Sequence, residues 1–269
     1  MLSRTHALAR RLRALRGDAA LRDAEGVFVA EGVHLALEAL AAGAAIETAV
    51  VSSRLSESGE GRDLARRLHE AGVLQHVTSE GTLSGLQDTR SPQPIVLIVR
   101  REPVSFDAVL TGRGGTPILV VACGVQEPGN LGALMRTADA AAATGFLATP
   151  GSAGLTHPRT VRASMGAIFR LPAIEAELDR VLEEVKSRGF RVYGADPRNA
   201  VDYDKADWGG PLVLLLGGEG AGLPQGVGAA LDARVAVPMA PGVESLSVNA
   251  AAAVLLFEAA RKRRAINRA

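Results

Sequence analysis

Three stretches in the second half of the chain bring together residue types that suit a small-molecule pocket. Leu216, Gly217, Gly218, Glu219, Gly220, Ala221, Gly222 and Leu223 form a glycine loop after an apolar run. Val237, Pro238 and Met239 close a second apolar run, and Glu244, Ser245, Leu246, Ser247, Val248 and Asn249 open a long alanine-rich helix. Such loops build a pocket from backbone more than from charged side chains. An earlier segment, Asn130 to Arg136, contributes an amide and a guanidinium and reads as the catalytic partner of that pocket.

Two common nucleotide sites are excluded. A dinucleotide fingerprint needs glycine at the first, third and sixth positions. Counting from Gly218, the third is Gly220 but the sixth is Leu223. No Gly-Lys-Ser/Thr of a phosphate loop occurs in the chain. A single cysteine, Cys123, forms no internal disulfide and no cysteine-based metal cluster. No apolar run is long enough to span a membrane, and the arginine-rich N-terminus lacks the apolar block of a signal peptide. The expectation is a cytoplasmic protein with neither membrane nor metal as a partner.

The net charge is +1, which excludes a generic polyanion binder. Its distribution is uneven. Arg4, Arg10, Arg11, Arg13, Arg16 and Arg22 crowd one end; Arg261, Lys262, Arg263, Arg264 and Arg268 crowd the other. The N-terminal cluster suits either phosphate contacts or a solvated helix face. The C-terminal one suits cations favoured at a helix C-terminus.

These side chains need a scaffold. Val27–Ala30, Thr48–Ser52, Gln75–Thr78 and Ile95–Val99 read as strands alternating with helices, which predicts a small three-layer α/β domain. Residues 101–116, with Pro103 and three glycines, read as a linker. Beyond it, Pro117–Cys123, Phe146–Ala148, Phe190–Tyr193, Leu212–Leu216 and Arg234–Val237 read as buried parallel strands. Asn130–Ala143, Glu175–Arg188 and Ser245–Arg264 read as helices, the last with Ser245 as N-cap. The expected domains are 1–100, 101–116 and 117–269.

The constellation resembles a known family. Pro128-Gly129-Asn130-Leu131-Gly132 with Arg136 and Thr137, Leu216 to Leu223, and Val237-Pro238-Met239 with Glu244 to Ala250 are similar to the three signatures of the SpoU (TrmH) family of RNA ribose 2'-O-methyltransferases. Phe28-Val29-Ala30-Glu31-Gly32 and Arg162-Ala163-Ser164-Met165-Gly166-Ala167, leading to Leu171-Pro172, resemble it too. The resemblance implies a small N-terminal α/β RNA-binding domain and a C-terminal SPOUT parallel-sheet domain with a deep trefoil knot. It implies a homodimer, S-adenosylmethionine as cofactor, and structured RNA, ribosomal above all, as substrate. The alternatives are a transfer-RNA 2'-O-methyltransferase and a catalytically silent SPOUT-fold RNA-binding protein.

Residue by residue, the resemblance assigns cofactor contacts to Gly217, Gly218, Val237, Met239 and Leu246. It assigns catalysis to Arg136, Asn130, Glu219 and Asn249. For Arg136 the resemblance implies help in deprotonating the ribose hydroxyl; a guanidinium stays protonated, so it is expected instead to clamp phosphate and stabilise the developing alkoxide. Asn130 either caps its helix or orients the arginine or the ribose. Glu219 either binds amides of its own turn or anchors Arg136 of a partner subunit. In one respect the chain departs from the family pattern Ser-Leu-Asn-Val-Ser: it reads Ser245-Leu246-Ser247-Val248-Asn249. On a helix, positions two apart face different sides, so Asn249 is not expected to stand in for an amide at 247. Gly218, where a polar or small residue is common, is expected to loosen its loop.

Overall fold

The computed structural model describes the whole chain except residues 90, 113, 114, 244 and 267–269. Glu244 and Arg268 of the sequence reading therefore lie outside the described residues. Two compact units form, one from Met1–Pro103 with Thr156–Phe169, the other from Val104–Leu155 with Arg170–Ala269.

The first unit runs α1 (Ala7–Gly17), α2 (Ala19–Glu25), β1 (Val27–Glu31), α3 (Val33–Ala41), β2 (Ile46–Ser52), α4 (Gly59–Glu70), β3 (Leu74–Thr78), α5 (Glu80–Ser84) and β4 (Ile95–Arg100). Its sheet has the order β1-β4-β2-β3, with only β2 and β3 parallel. The period-2 alternation of strands explains why both faces are apolar. Phe28, Ala30, Leu97 and Val99 join Leu35, Leu64 and Leu68 on one face. Val27, Val29, Val96 and Ile98 join Leu12, Leu15 and Leu83 on the other. Helices thus cover both faces, the three layers expected.

Helix α2 was not legible in the sequence, because its one buried residue is Arg22. Asp18 caps it by accepting a hydrogen bond from the Leu21 N–H at 3.0 Å. A later helix, α8 (Pro158–Ala163), also belongs to this unit. The buried Glu31 carboxylate holds it, accepting from Arg162 Nη1 at 3.2 Å and from the Asp88 N–H at 2.9 Å. Burial pushes that carboxyl above its usual range. Two motifs separated by 131 residues, the Glu31 segment and the Arg162 segment, are thereby one structural contact.

The second unit comprises α6 (Phe106–Thr111), β5 (Ile118–Cys123), α7 (Pro128–Ala140), β6 (Gly145–Ala148), β7 (Ala173–Glu175), α9 (Leu178–Ser187), β8 (Arg191–Ala195), β9 (Val201–Asp202), β10 (Leu212–Gly217), β11 (Ala233–Ala236) and α10 (Val248–Ile266). Its seven strands are all parallel, in the order β7-β6-β5-β10-β8-β11-β9. Strands β5 and β10 are buried on both faces, as their unbroken apolar runs predict.

Three local expectations change. The segment read as a linker contains α6, whose Val109 and Leu110 enter the core of this unit. The helix read over 175–188 is preceded by a short strand, β7, and begins at Leu178. The terminal helix begins at Val248, and Ser247, not Ser245, caps it by accepting from the Ala250 N–H at 3.3 Å.

Candidate active site

The site grows from a reversal in strand order. After β5 the chain builds β6 and β7 on one side, then crosses to β8 on the other, and β10 later fills the gap. In open parallel sheets, ligands bind outside the carboxyl ends of strands at such a switch point. The register pairs Leu216 with Ala122 and Gly217 with Cys123, so the loops leaving β5 and β10 emerge side by side.

These two loops touch backbone to backbone. A Cβ at Gly218 would lie 2.2 Å from the carbonyl oxygen of Gly124, and one at Gly217 would lie 2.1 Å from the carbonyl carbon of Gly222. Only glycine fits either position. Gly218 therefore closes its loop, contrary to the expected loosening. The turn is secured by the Gly222 N–H, which donates to the Gly218 carbonyl at 3.0 Å. Any ligand contact at Gly217 or Gly218 is consequently a main-chain contact, because their missing side chains face protein.

The loop after β5 delivers α7. Glu127 is its N-cap, with Pro128 in the first turn, and the Glu127 carboxylate accepts from the Asn130 N–H at 2.7 Å. The capping role open to Asn130 thus falls to Glu127, a residue the sequence reading passed over. Its signal was an acceptor side chain directly before a proline that opens a helix. The Asn130 side chain is left free to reach outward. Its Nδ2 donates to Glu219 Oε1, and its Oδ1 accepts from Asn249 Nδ2 at 3.1 Å.

Asn130, Glu219 and Asn249, from three separate motifs, are thereby joined in one hydrogen-bonded chain. Asn249 reaches this chain from its own position for a local reason. Residues 245–247 precede α10 and are not helical, so helical spacing does not govern them. Asn249 lies in the first turn of α10, which packs against α7 and brings the amide to Asn130.

Val237 and Met239 follow β11 in a segment without regular structure, and both are half-buried. Their main-chain groups enter no backbone–backbone hydrogen bond among the described residues. Leu246 is 41% exposed. Half-buried apolar side chains beside unengaged peptide groups suit a flat, polar-edged ring such as a purine.

Arg136 does not join the cluster. It is exposed, and its guanidinium makes no hydrogen bond or ion pair among the described residues. Six residues at about 100° each turn it roughly 120° around α7 from Asn130. Cys123, next to the site, is 2% exposed, and burial pushes its thiol up to about 12. It is a core residue, not a nucleophile.

The basic clusters separate into structural and available groups. Arg11 is ion-paired to Glu25 and Glu47, and the Glu47 hydrogen bond leads in holding its pKa above the usual arginine value. Arg22 is buried and donates to the Leu15 carbonyl at 2.7 Å. Arg4, Arg10, Arg13 and Arg16 donate to the carbonyls of Gly81, Thr5, Arg4 and Gln87, contacts that leave their charge uncancelled. At the other end, Arg263 donates to the carbonyls of Trp208 at 2.9 Å and Thr116 at 2.6 Å. Burial lowers its pKa to about 10. Arg261 pairs with Glu258 at 2.7 Å. No group of three His, Cys, Asp or Glu is placed to hold a metal ion among the described residues. None of the described helices is long and apolar enough to cross a membrane.

Comparison with known proteins identifies the family and the fold. Residues 117–257 match the profile of the SpoU rRNA Methylase family, and residues 9–97 match the MRM3-like substrate binding domain. The 23S rRNA (guanosine(2553)-2'-O)-methyltransferase RlmP of Bacillus subtilis is 30% identical over 88% of this chain and 89% of its own. The 23S rRNA (guanosine-2'-O-)-methyltransferase RlmB of Ralstonia nicotianae is 35% identical over 75% of this chain and 82% of its own. The crystal structure of the SpoU methyltransferase AviRb from Streptomyces viridochromogenes in complex with AdoMet superposes with a TM-score of 0.87 at 28% identity. That match covers 96% of this chain and 98% of the other. A small N-terminal α/β unit and a C-terminal parallel-sheet unit of SPOUT type are the fold of these relatives. The chain belongs to the SpoU rRNA Methylase family.

Proposed function

We propose that the protein transfers the methyl group of S-adenosylmethionine to a ribose 2'-hydroxyl of structured RNA, with ribosomal RNA as substrate. The observation that carries this reading is the chain Asn249–Asn130–Glu219, assembled at the β5/β10 switch point. Relatives of matching length act on 23S rRNA, and a close structural neighbour was solved with AdoMet.

When bound, S-adenosylmethionine supplies a methyl group made electrophilic by its sulfonium. The main chain of Gly217 and Gly218 and the half-buried Val237 and Met239, with Leu246, hold it. Holding reactants in one geometry removes much of the entropic barrier. Glu219, fixed by Asn130, is an organising carboxylate. Arg136 clamps a substrate phosphate and stabilises negative charge developing on the ribose oxygen.

Arg136 stands apart from the Asn130 cluster within one chain, which supports a homodimer in which it reaches the cleft of a second copy. Exposed Val243, Leu246 and Phe257 on the second unit support such a contact. The first unit, which holds residues 1–100, acts as the RNA-binding domain, and the second, which holds most of residues 117–269, acts as the methyltransferase domain. The compartment is the cytoplasm.

The test is incubation with radiolabelled S-adenosylmethionine and either ribosomal or transfer RNA, followed by mapping of ribose methylation. Label on a ribose of ribosomal RNA is expected. Label confined to transfer RNA would move the substrate, and cofactor binding without transfer to either would favour a silent RNA-binding protein.

A further inference from the structure

We infer that Asn249 is a positioning residue that sets the orientation of Asn130, and that its own carbonyl oxygen receives a hydrogen bond from the bound substrate or cofactor. This rests on the reading of the site as a methyltransferase centre. An ionised carboxylate only accepts hydrogen bonds. Glu219 therefore determines that Asn130 presents its Nδ2 to it and its Oδ1 to the other side. Asn130 Oδ1 in turn demands a donor, which among the described residues the Nδ2 of Asn249 supplies at 3.1 Å. The direction of both amides follows from the carboxylate at the end of the chain. Flipping either amide would set oxygen against oxygen.

The chain leaves one group over. Asn249 Oδ1 is buried and has no hydrogen-bond partner among the described residues. A buried acceptor without a donor is costly, and buried polar side-chain atoms in folded proteins are rarely left so. Its hydrogen-bonded neighbours Asn130 and Glu219 belong to the loops and helix that follow β5 and β10, where the proposed reading places the ligand. The missing donor is an O–H or N–H of the ligand: a ribose hydroxyl of the RNA or an amine of the cofactor. The geometry so makes residue 249 serve two ends, Asn130 through its nitrogen and the ligand through its oxygen.

Two variants of the full-length protein test this. Asn249→Asp keeps the shape but sets acceptor against acceptor at Asn130. Asn249→Ala removes both ends. The side-chain amide resonance of Asn130, assigned through Asn130→Asp, reports the orientation without any ligand. It is expected to shift in Asn249→Asp and in Glu219→Ala, with circular dichroism unchanged.

Calorimetry with S-adenosylmethionine and steady-state kinetics with RNA then locate the donor. A tenfold or greater rise in the cofactor Kd in Asn249→Ala assigns it to the cofactor. An unchanged Kd with a tenfold or greater loss of kcat/KM for RNA assigns it to the ribose. An Asn130 resonance unmoved by Asn249→Asp, or both variants binding and turning over within twofold of the parent, would overturn the inference. A parent protein that binds the cofactor but methylates no RNA would instead defeat the functional reading, and the resonance would still judge the orientation.

Discussion

Gly218 and Gly124 meet main chain to main chain across the ends of two parallel strands, with 2.2 Å between the place of a Cβ at 218 and the Gly124 carbonyl oxygen. The contact holds the glycine loop against the segment that leads into α7. Gly218→Ala must push the two loops apart, since backbone cannot rotate away as a side chain does. Overpacking of this kind costs about 1–3 kcal/mol. Denaturant unfolding is expected to show that loss, together with weaker S-adenosylmethionine binding by calorimetry. Wild-type stability and affinity in Gly218→Ala would deny the contact its role.

Arg136→Ala is expected to leave folding and cofactor binding intact, because the side chain is exposed and joins no contact among the described residues. Methyl transfer should fall on the order of 100-fold or more, the usual loss when a group stabilising developing charge is removed. Single-turnover assays with saturating cofactor check this. Mixing Arg136→Ala with a Glu219→Ala variant should restore part of the activity if the two residues act across a dimer.

Charge reversal of Arg10 and Arg13 is expected to weaken RNA binding and flatten its salt dependence, since each phosphate contact releases counterions. Arg11 suits this test poorly. Its pairing with Glu25 and Glu47 makes Arg11→Glu a structural lesion. Filter binding across a salt series measures both quantities, and an unchanged slope would return Arg10 and Arg13 to a solvated helix face.

Asp196 predicts an acid-sensitive element of stability. It sits at the end of β8, nearly buried, and accepts from Arg198 Nη2 at 2.9 Å and from Arg234 Nη1 at 2.5 Å. The hydrogen bond from Arg198 is the leading cause that holds its carboxyl below the usual carboxylate range, with Arg234 adding to it. The folded state thus binds its proton more weakly than the unfolded state does. The stabilisation is present above the unfolded pKa of about 4 and is lost as pH falls through the depressed folded value. Asp196→Asn should be less stable than the parent at pH 7, with a shallower decline in acid. Parallel stability curves for the two proteins from pH 7 to pH 3 would refute this.

The sequence by itself determined the buried strands, the long amphipathic helices, the motifs and the family, but not short elements such as α2, α6 and β7. Unbroken apolar runs such as 118–123 and 212–216 carry their own burial, and glycine loops after them mark ligand-facing strand ends, so these were legible from local chemistry. What tertiary structure alone decided is which groups meet. Glu219, Asn130 and Asn249 become neighbours only because β10 inserts beside β5 and α10 packs on α7. Glu31 finds Arg162 only because 156–169 folds into the first unit. The exchange at 247 and 249 looked damaging when helical spacing was carried back to Ser245; the helix starts at Val248, and there Ser247 caps while Asn249 reaches the site. Local patterns encode burial and turns, whereas hydrogen-bond partners distant in sequence depend on strand order and helix register, which no single segment contains.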